Sequence, residues 1–147
     1  MPKLDLDAIP QTNATGYPGD LAAAVAGRWV RRVGKAVGLT DFGASHVVLK
    51  PGASSSQRHW HEDEDELVVM LVGEAVLIEE DGRVKMRAGD MAAFPKGDPN
   101  GHQLVNESDG DCVFLAIGRP SASDCHYSDV DLHLSGGSYR RKDGSAY

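Results

Sequence analysis

Two histidines one residue apart, His59 and His61, are followed by a carboxylate, Glu66, that opens an apolar run. Side chains on a β-strand alternate faces, so His59 and His61 share one face and Trp60 takes the other. Glu66 leads into Leu67, Val68, Val69, Met70, Leu71 and Val72, a short run closed by Gly73 that reads as the next strand. With Glu66 on the same interior, two imidazoles and a carboxylate converge. A neutral imidazole nitrogen and a hard carboxylate oxygen suit Zn, Fe, Mn, Ni or Cu rather than Mg or Ca, which prefer all-oxygen sites. His102 is the expected fourth ligand, because it follows a turn-rich loop from Pro95 to Gly101 and opens a strand. A metal held by these rings should leave as pH falls below about 6, since proton and metal compete for one lone pair.

Other residues are candidates for lining the cavity around such a site. Leu104 and Asn106 share the face of His102 by alternation, and Gln57 shares that of His59. His46, Met70 and Phe94 complete the set, with ordinary core or surface packing as the competing reading for each. Glu62 to Asp65 reads as a solvated turn that adds negative potential. His126, Tyr127 and His133 fall in the C-terminal segment, where a lid over the cavity, a surface role and a dimer contact all fit. No second carboxylate pair and no Ser-His-Asp set stands out, so activation would come from the metal.

The elements that must position these residues are strands. Arg28 to Val33 reads as a first strand, Ser45 to Lys50 as a second that stops at Pro51-Gly52, and Ser54 to His61 as the strand carrying the histidines. After Glu66–Val72 come Glu74 to Glu80, a turn at Asp81-Gly82, Arg83 to Arg87, and Met91 to Phe94. His102 to Asn106 and Cys112 to Ile117 pair around an Asp109-Gly110 turn, and a last strand-like segment starts near Val130. Apart from a brief helical turn at Ala22 to Ala26, no helical periodicity appears. About ten short strands with regular turns predict an all-β barrel or sandwich. The expected organisation is one domain: an N-terminal arm over 1–27 packed on the body or a second subunit, a core over 28–120, and a C-terminal extension over 121–147 packed on it.

Bulk properties exclude several functions. The chain has 147 residues, enough for one domain with a buried core, and a net charge of −7, which argues against phosphate-backbone partners. The basic clusters Arg31-Arg32 and Arg140-Arg141-Lys142 are short and read as solvated surface. No apolar run is long enough to span a bilayer, and the first residues lack a signal-peptide core, so a cytoplasmic protein without membrane partners is expected. Cys112 and Cys125 make no disulfide framework, and Cys112 reads as a small buried hydrophobe. The glycosylation triplets at Asn13 and Asn106 are then accidental.

Two ordered motifs carry a resemblance. Gly52, His59, His61, Glu66 and Gly73, followed by Gly89, Pro95, Gly97, His102 and Asn106, resemble the paired motifs of the cupin superfamily. The gap from Gly52 to His59 is one residue longer than the usual pattern and that from Gly97 to His102 two longer, both within turns. The likeness is close over 38–118 and looser elsewhere. It implies a double-stranded β-helix, or jelly-roll barrel, holding one divalent transition metal (Zn, Fe, Mn or Ni) on His59, His61, Glu66 and His102. It also implies a small-molecule ligand and a homodimer. A metal-dependent enzyme of dioxygenase, isomerase or lyase type follows, with a non-catalytic module that binds or senses a sugar or organic acid as the alternative.

Overall fold

The computed structural model describes residues 3–119 and 122–147. Strands occur in chain order as β1 (Gln11–Thr12), β2 (Arg28–Arg31), β3 (Gly43–Leu49), β4 (His59–His61), β5 (Glu66–Val72), β6 (Glu74–Glu79) and β7 (Gly82–Arg87). They continue as β8 (Met91–Phe94), β9 (Gln103–Val105), β10 (Cys112–Gly118), β11 (Cys125–Tyr127), β12 (His133–Ser135) and β13 (Ser138–Arg140). A 3-10 helix over Gly19–Val25 occupies the alanine-rich stretch, and a single helical turn, α1 (Val33–Ala36), leads into β3. The fold is all-β, as the turn spacing predicts, and takes the jelly-roll form that the resemblance implies.

One face of the barrel is a six-stranded sheet in the order β1-β2-β3-β10-β5-β8. The other is built from the three strands β7-β6-β9 and the four strands β13-β12-β11-β4. These two pieces meet at a bridge between His59 and His102, whose backbones exchange bonds of 3.1 and 2.9 Å. The seam between the sheet pieces is therefore made by two of the expected ligands. Alternation along each strand sends Val47, Leu49, Val68, Met70, Leu77, Leu104, Cys112 and Phe114 into one buried cluster between the faces. At Gly73 the chain turns with φ +72°, and a Cβ there would stand 2.5 Å from the carbonyl oxygen of Asp111, so only glycine fits.

Three local expectations need correction. The histidine strand is three residues long rather than eight. Over 54–58 the ladder is reduced to a single bridge from Ser54 to Val105: Ser54 N bonds Ala24 O, Ser55 N bonds Leu104 O, and Gln57 N bonds the Tyr17 hydroxyl. The β6–β7 hairpin closes where Glu79 faces Gly82, so its loop is Glu80-Asp81. The C-terminal segment extends the β4 sheet by three strands, with Cys125 opposite His61 and Tyr127 opposite His59.

Residues 3–27 lie along the chain's own barrel. Arg31 Nε donates to Ile9 O, and Gln57 Nε2 donates to Leu21 O. Tyr17 packs edge-on to Tyr127 at 5.8 Å and against Tyr139 at 5.5 Å. With Leu21, Leu132 and Leu134 these rings form a second apolar cluster that joins arm and extension beneath β4.

Candidate metal centre

Strand β4 aims His59 and His61 inward, the start of β5 aims Glu66 at them, and the residue before β9 brings in His102. Glu66 Oε2 is the common point: it lies 2.9 Å from His102 Nε2, 3.4 Å from His61 Nε2 and 3.7 Å from His59 Nε2. Two donors each about 2.1 Å from one ion sit about 3.0 Å apart at a right angle and about 3.4 Å apart at the tetrahedral angle. The observed separations bracket those values. Among the described residues two overlapping donor sets gather within 4.8 Å, His59 with Glu66 and His102, and His59 with His61 and Cys125; the first has the spacing of a transition-metal site, and His61 meets it through Glu66.

The rings are held from behind. His59 Nδ1 lies 2.9 Å from the carbonyl oxygen of Gln57, which takes its proton and leaves the Nε2 lone pair facing Glu66. The ring of Phe94 stacks on His102 at 3.6 Å and 4°. His102 Nδ1 is buried without a partner among the described residues, and the ring's polar contact is through Nε2. Burial and the neighbouring His102 hold the His59 pKa down to about 4, which keeps its lone pair free for a cation. Burial pulls His61 the same way, but hydrogen bonds to Cys125 and Glu66 win and raise it to about 10. Burial would raise Glu66, yet its bonds to His102 and His61 hold it well below the usual carboxylate range.

Sequence reasoning missed Cys125. Its sulfur lies within 4.8 Å of ring nitrogens of His59 and His61, as cross-strand pairing of β11 with β4 requires. Alternation along Cys125-His126-Tyr127 was the available signal, but only with β4 known as the partner. Cys112, by contrast, is an enclosed thiol pushed by burial up to about 11, in keeping with a packing role. Glu64 also approaches the set, 3.9 Å from His61 Nδ1.

A cavity of about 280 Å³ reaches His59, Glu66 and His102 from the six-stranded face. Leu104 lines it, while Phe94 lines a smaller cleft that reaches His61, Glu66 and His102. The remaining cavity candidates lie elsewhere. Gln57 is turned to the arm by its bond to Leu21, and Met70 is 1% exposed in the core. His46 alternates to the opposite side of β3 from Ser45 and Val47, the two β3 residues that line the cavity. Asn106 is fully buried and ties the β9–β10 turn together, its amide donating to Leu49 O and Gly110 O at 2.8 Å. Arg32, read from sequence as solvated surface, lines the cavity together with Arg28.

His126 and His133 form no lid. His126 stacks on Trp60 at 4.2 Å on the outer side of the β4 sheet, whereas Tyr127 points inward to Tyr17. No helix among the described residues is long and apolar enough to cross a membrane.

Comparison with known proteins points the same way as the motifs. A family model described as "Cupin domain" matches residues 45–118. The structure of a protein from Silicibacter pomeroyi, described as a sugar phosphate isomerase from a cupin superfamily, is 45% identical in sequence. It superposes with a TM-score of 0.94 over 99% of this chain and 96% of that one. A protein of Acidithiobacillus ferrooxidans, provisionally assigned as a sugar phosphate isomerase, is 28% identical over 77% of this chain and 74% of its own, with a TM-score of 0.71. The polyketide cyclase RemF of Streptomyces resistomycificus shares the fold at 18% identity, covering 88% of this chain and 87% of that one with a TM-score of 0.70. No curated protein sequence matches the chain.

Proposed function

The chain belongs to the Cupin domain family, and from that premise we propose that it is a metal-dependent enzyme that isomerises a small, sugar-like hydroxy-carbonyl compound. One observation carries the reading: His59, Glu66 and His102 gather their donor atoms where a cavity of about 280 Å³ ends, with His61 Nε2 3.4 Å from the same Glu66 oxygen. That volume lies near the lower end of small-molecule sites, which suits a compound of a few carbons.

Bound to these four residues, a divalent transition metal supplies Lewis-acid polarisation of a carbonyl oxygen. The chain's own part is to hold and orient. His59 is fixed by the Gln57 carbonyl and His102 by Phe94, so neither ring must reorganise when substrate enters. Ser45, Ser55, Ser56 and Tyr17 line the cavity and offer hydroxyl groups to a polyhydroxy ligand. Val47, Val68, Leu104 and Phe114 form its apolar wall and keep bulk water from the reacting carbons. The relative at 45% identity, described as a sugar phosphate isomerase, favours isomerisation over oxygenase or lyase chemistry.

The test begins with metal analysis of protein purified without chelators, followed by NMR assay of aldose–ketose interconversion over a panel of sugar phosphates. About one metal per chain is expected, with conversion that EDTA abolishes and added metal restores. A loaded protein that converts nothing on the panel and releases an unaltered metabolite on denaturation would instead be a binding module.

A further inference from the structure

Two arginines of opposite fate stand out among the buried charges. The Arg58 side chain is only 10% exposed, and its fork is answered by Asp129 at 2.7 and 2.8 Å and by Glu80 at 2.7 Å. Arg28 lies on β2 with most of its guanidinium out of water, yet it forms no ion pair among the described residues. Its Nη1 donates to the carbonyl oxygen of Ser55 at 2.7 Å, and its Nε is buried with no partner among the described residues. Burial lowers its pKa, the sign of a cation without its counter-charge. An uncompensated buried charge costs several kcal/mol by usual reckoning, so folds retain one where a ligand completes it.

The second cation lies two positions beyond Val30. Alternation directs Arg28 and Val30 of β2 toward the cavity of about 280 Å³, and Arg32, just past the end of that strand, lines it with them. Arg32 also has no ion pair among the described residues. Glu66 is the single acidic residue among those lining the cavity, and its carboxylate is already shared by three imidazoles. In a chain with a net charge of −7, two unpaired guanidinium groups share one cavity wall with no free acid beside them.

We propose that Arg28 and Arg32 form an anion subsite, so that the ligand of this cavity carries a phosphate or carboxylate group held away from the metal. A planar guanidinium with free donors matches two oxygens of either group. That this anion belongs to the isomerised compound rests on the function proposed above; the subsite itself does not.

The test uses full-length protein stripped of metal with EDTA, titrated by calorimetry with inorganic phosphate and, separately, with acetate. Saturable binding of phosphate alone assigns a phosphorylated ligand, and of acetate a carboxylate. Arg28→Gln should weaken binding about tenfold and Arg32→Gln a few-fold, one to two lost charge-assisted bonds being worth that much. Arg28→Lys should fall between wild type and Arg28→Gln. Thermal melting checks that each variant folds, and Arg32→Gln, an exposed side chain, keeps the test open should Arg28→Gln be unstable. Absence of saturable binding of either anion to the wild-type chain overturns the proposal, as does equal binding by the folded variants. Cobalt uptake followed by its visible spectrum should be unchanged in all three variants. A chain that binds anion through Arg28 but neither takes up cobalt nor isomerises any sugar phosphate would refute the functional reading and leave the subsite standing.

Discussion

Strand β4 presents histidine chemistry on both of its sides, and the two sides are built differently. Inside, three imidazoles share one carboxylate, Glu66. Outside, each imidazole has its own: His126 Nε2 lies 2.7 Å from Glu62 and His133 Nε2 2.8 Å from Asp124. Both sides use a stacked ring to fix a histidine, Phe94 on His102 within and Trp60 on His126 without. Four donors around one point leave lone pairs that a single cation can satisfy together. Separate pairs in solvent satisfy each other, and such contacts are worth little. Convergence onto one carboxylate, more than the number of histidines, distinguishes a site from a surface.

The largest expected effect breaks the inner side alone. His61→Ala should weaken zinc or cobalt binding by at least about 100-fold, a loss typical of removing a direct ligand. His126→Ala should leave affinity within about twofold, since that ring meets Trp60, Glu62 and His133 on the outside of the sheet. Competition against a chromogenic chelator reads both, and equal losses would erase the distinction. A smaller effect tests the stacked rings. Phe94→Leu frees His102 to rotate and should lower metal affinity about tenfold, the lower end of what supporting residues contribute. Trp60→Leu should leave the metal unchanged and show only in stability.

Much of the inner side was legible because it is local. The His-x-His spacing fixes a shared face for His59 and His61, and β5 and β8 fall where their composition places them, at Glu66–Val72 and Met91–Phe94. The outward direction of Trp60 follows from the same period of two. What was not legible depends on chain brought from far away. Beyond its bridge to Val105 the 54–58 segment leaves the ladder, because Ala24 and Tyr17 of the arm take the amides of Ser54 and Gln57. Cys125 reaches the centre only because β11 pairs with a strand 64 positions earlier, Cys125 facing His61. Asn106 shares its strand face with His102 and reads as cavity-lining, but its amide is consumed by Leu49 O and Gly110 O. Arg32 reads as solvated surface because its basic cluster is short, and it is exposed in the fold; that it also borders the cavity beside Arg28 shows only when the barrel is assembled.

A third prediction concerns Arg58, which precedes β4 and ties the outer loops to it. Arg58→Met removes the fork to Asp129 and the bond to Glu80 while keeping most of the stem's packing. Because both carboxylates are more than half exposed and regain water, the cost should be about 1–2 kcal/mol rather than that of a fully buried pair. Urea denaturation measures it. Unchanged cobalt affinity would keep the two sides of β4 energetically separate, whereas a parallel loss of metal would join them.

The smallest effect is read against pH and belongs to the outer side. The Asp129 carboxyl is held below its ordinary range by the hydrogen bonds from Arg58, and Asp124 by those from His133 and Ser135. A carboxylate with a depressed folded pKa stays charged in the native chain while the unfolded chain takes up its proton near pH 4. Its contribution is therefore complete above about pH 4 and disappears as pH falls through the lower folded value. Asp129→Asn should melt at a lower temperature than wild type at neutral pH, and the gap should narrow as pH falls progressively below about 4. Scanning calorimetry of the EDTA-treated chains across that acid range gives the answer. A gap that stays constant through the acid limb would mean that Asp129 acts by shape and not by charge. The outer pairs would then need a different account from the one their geometry gives.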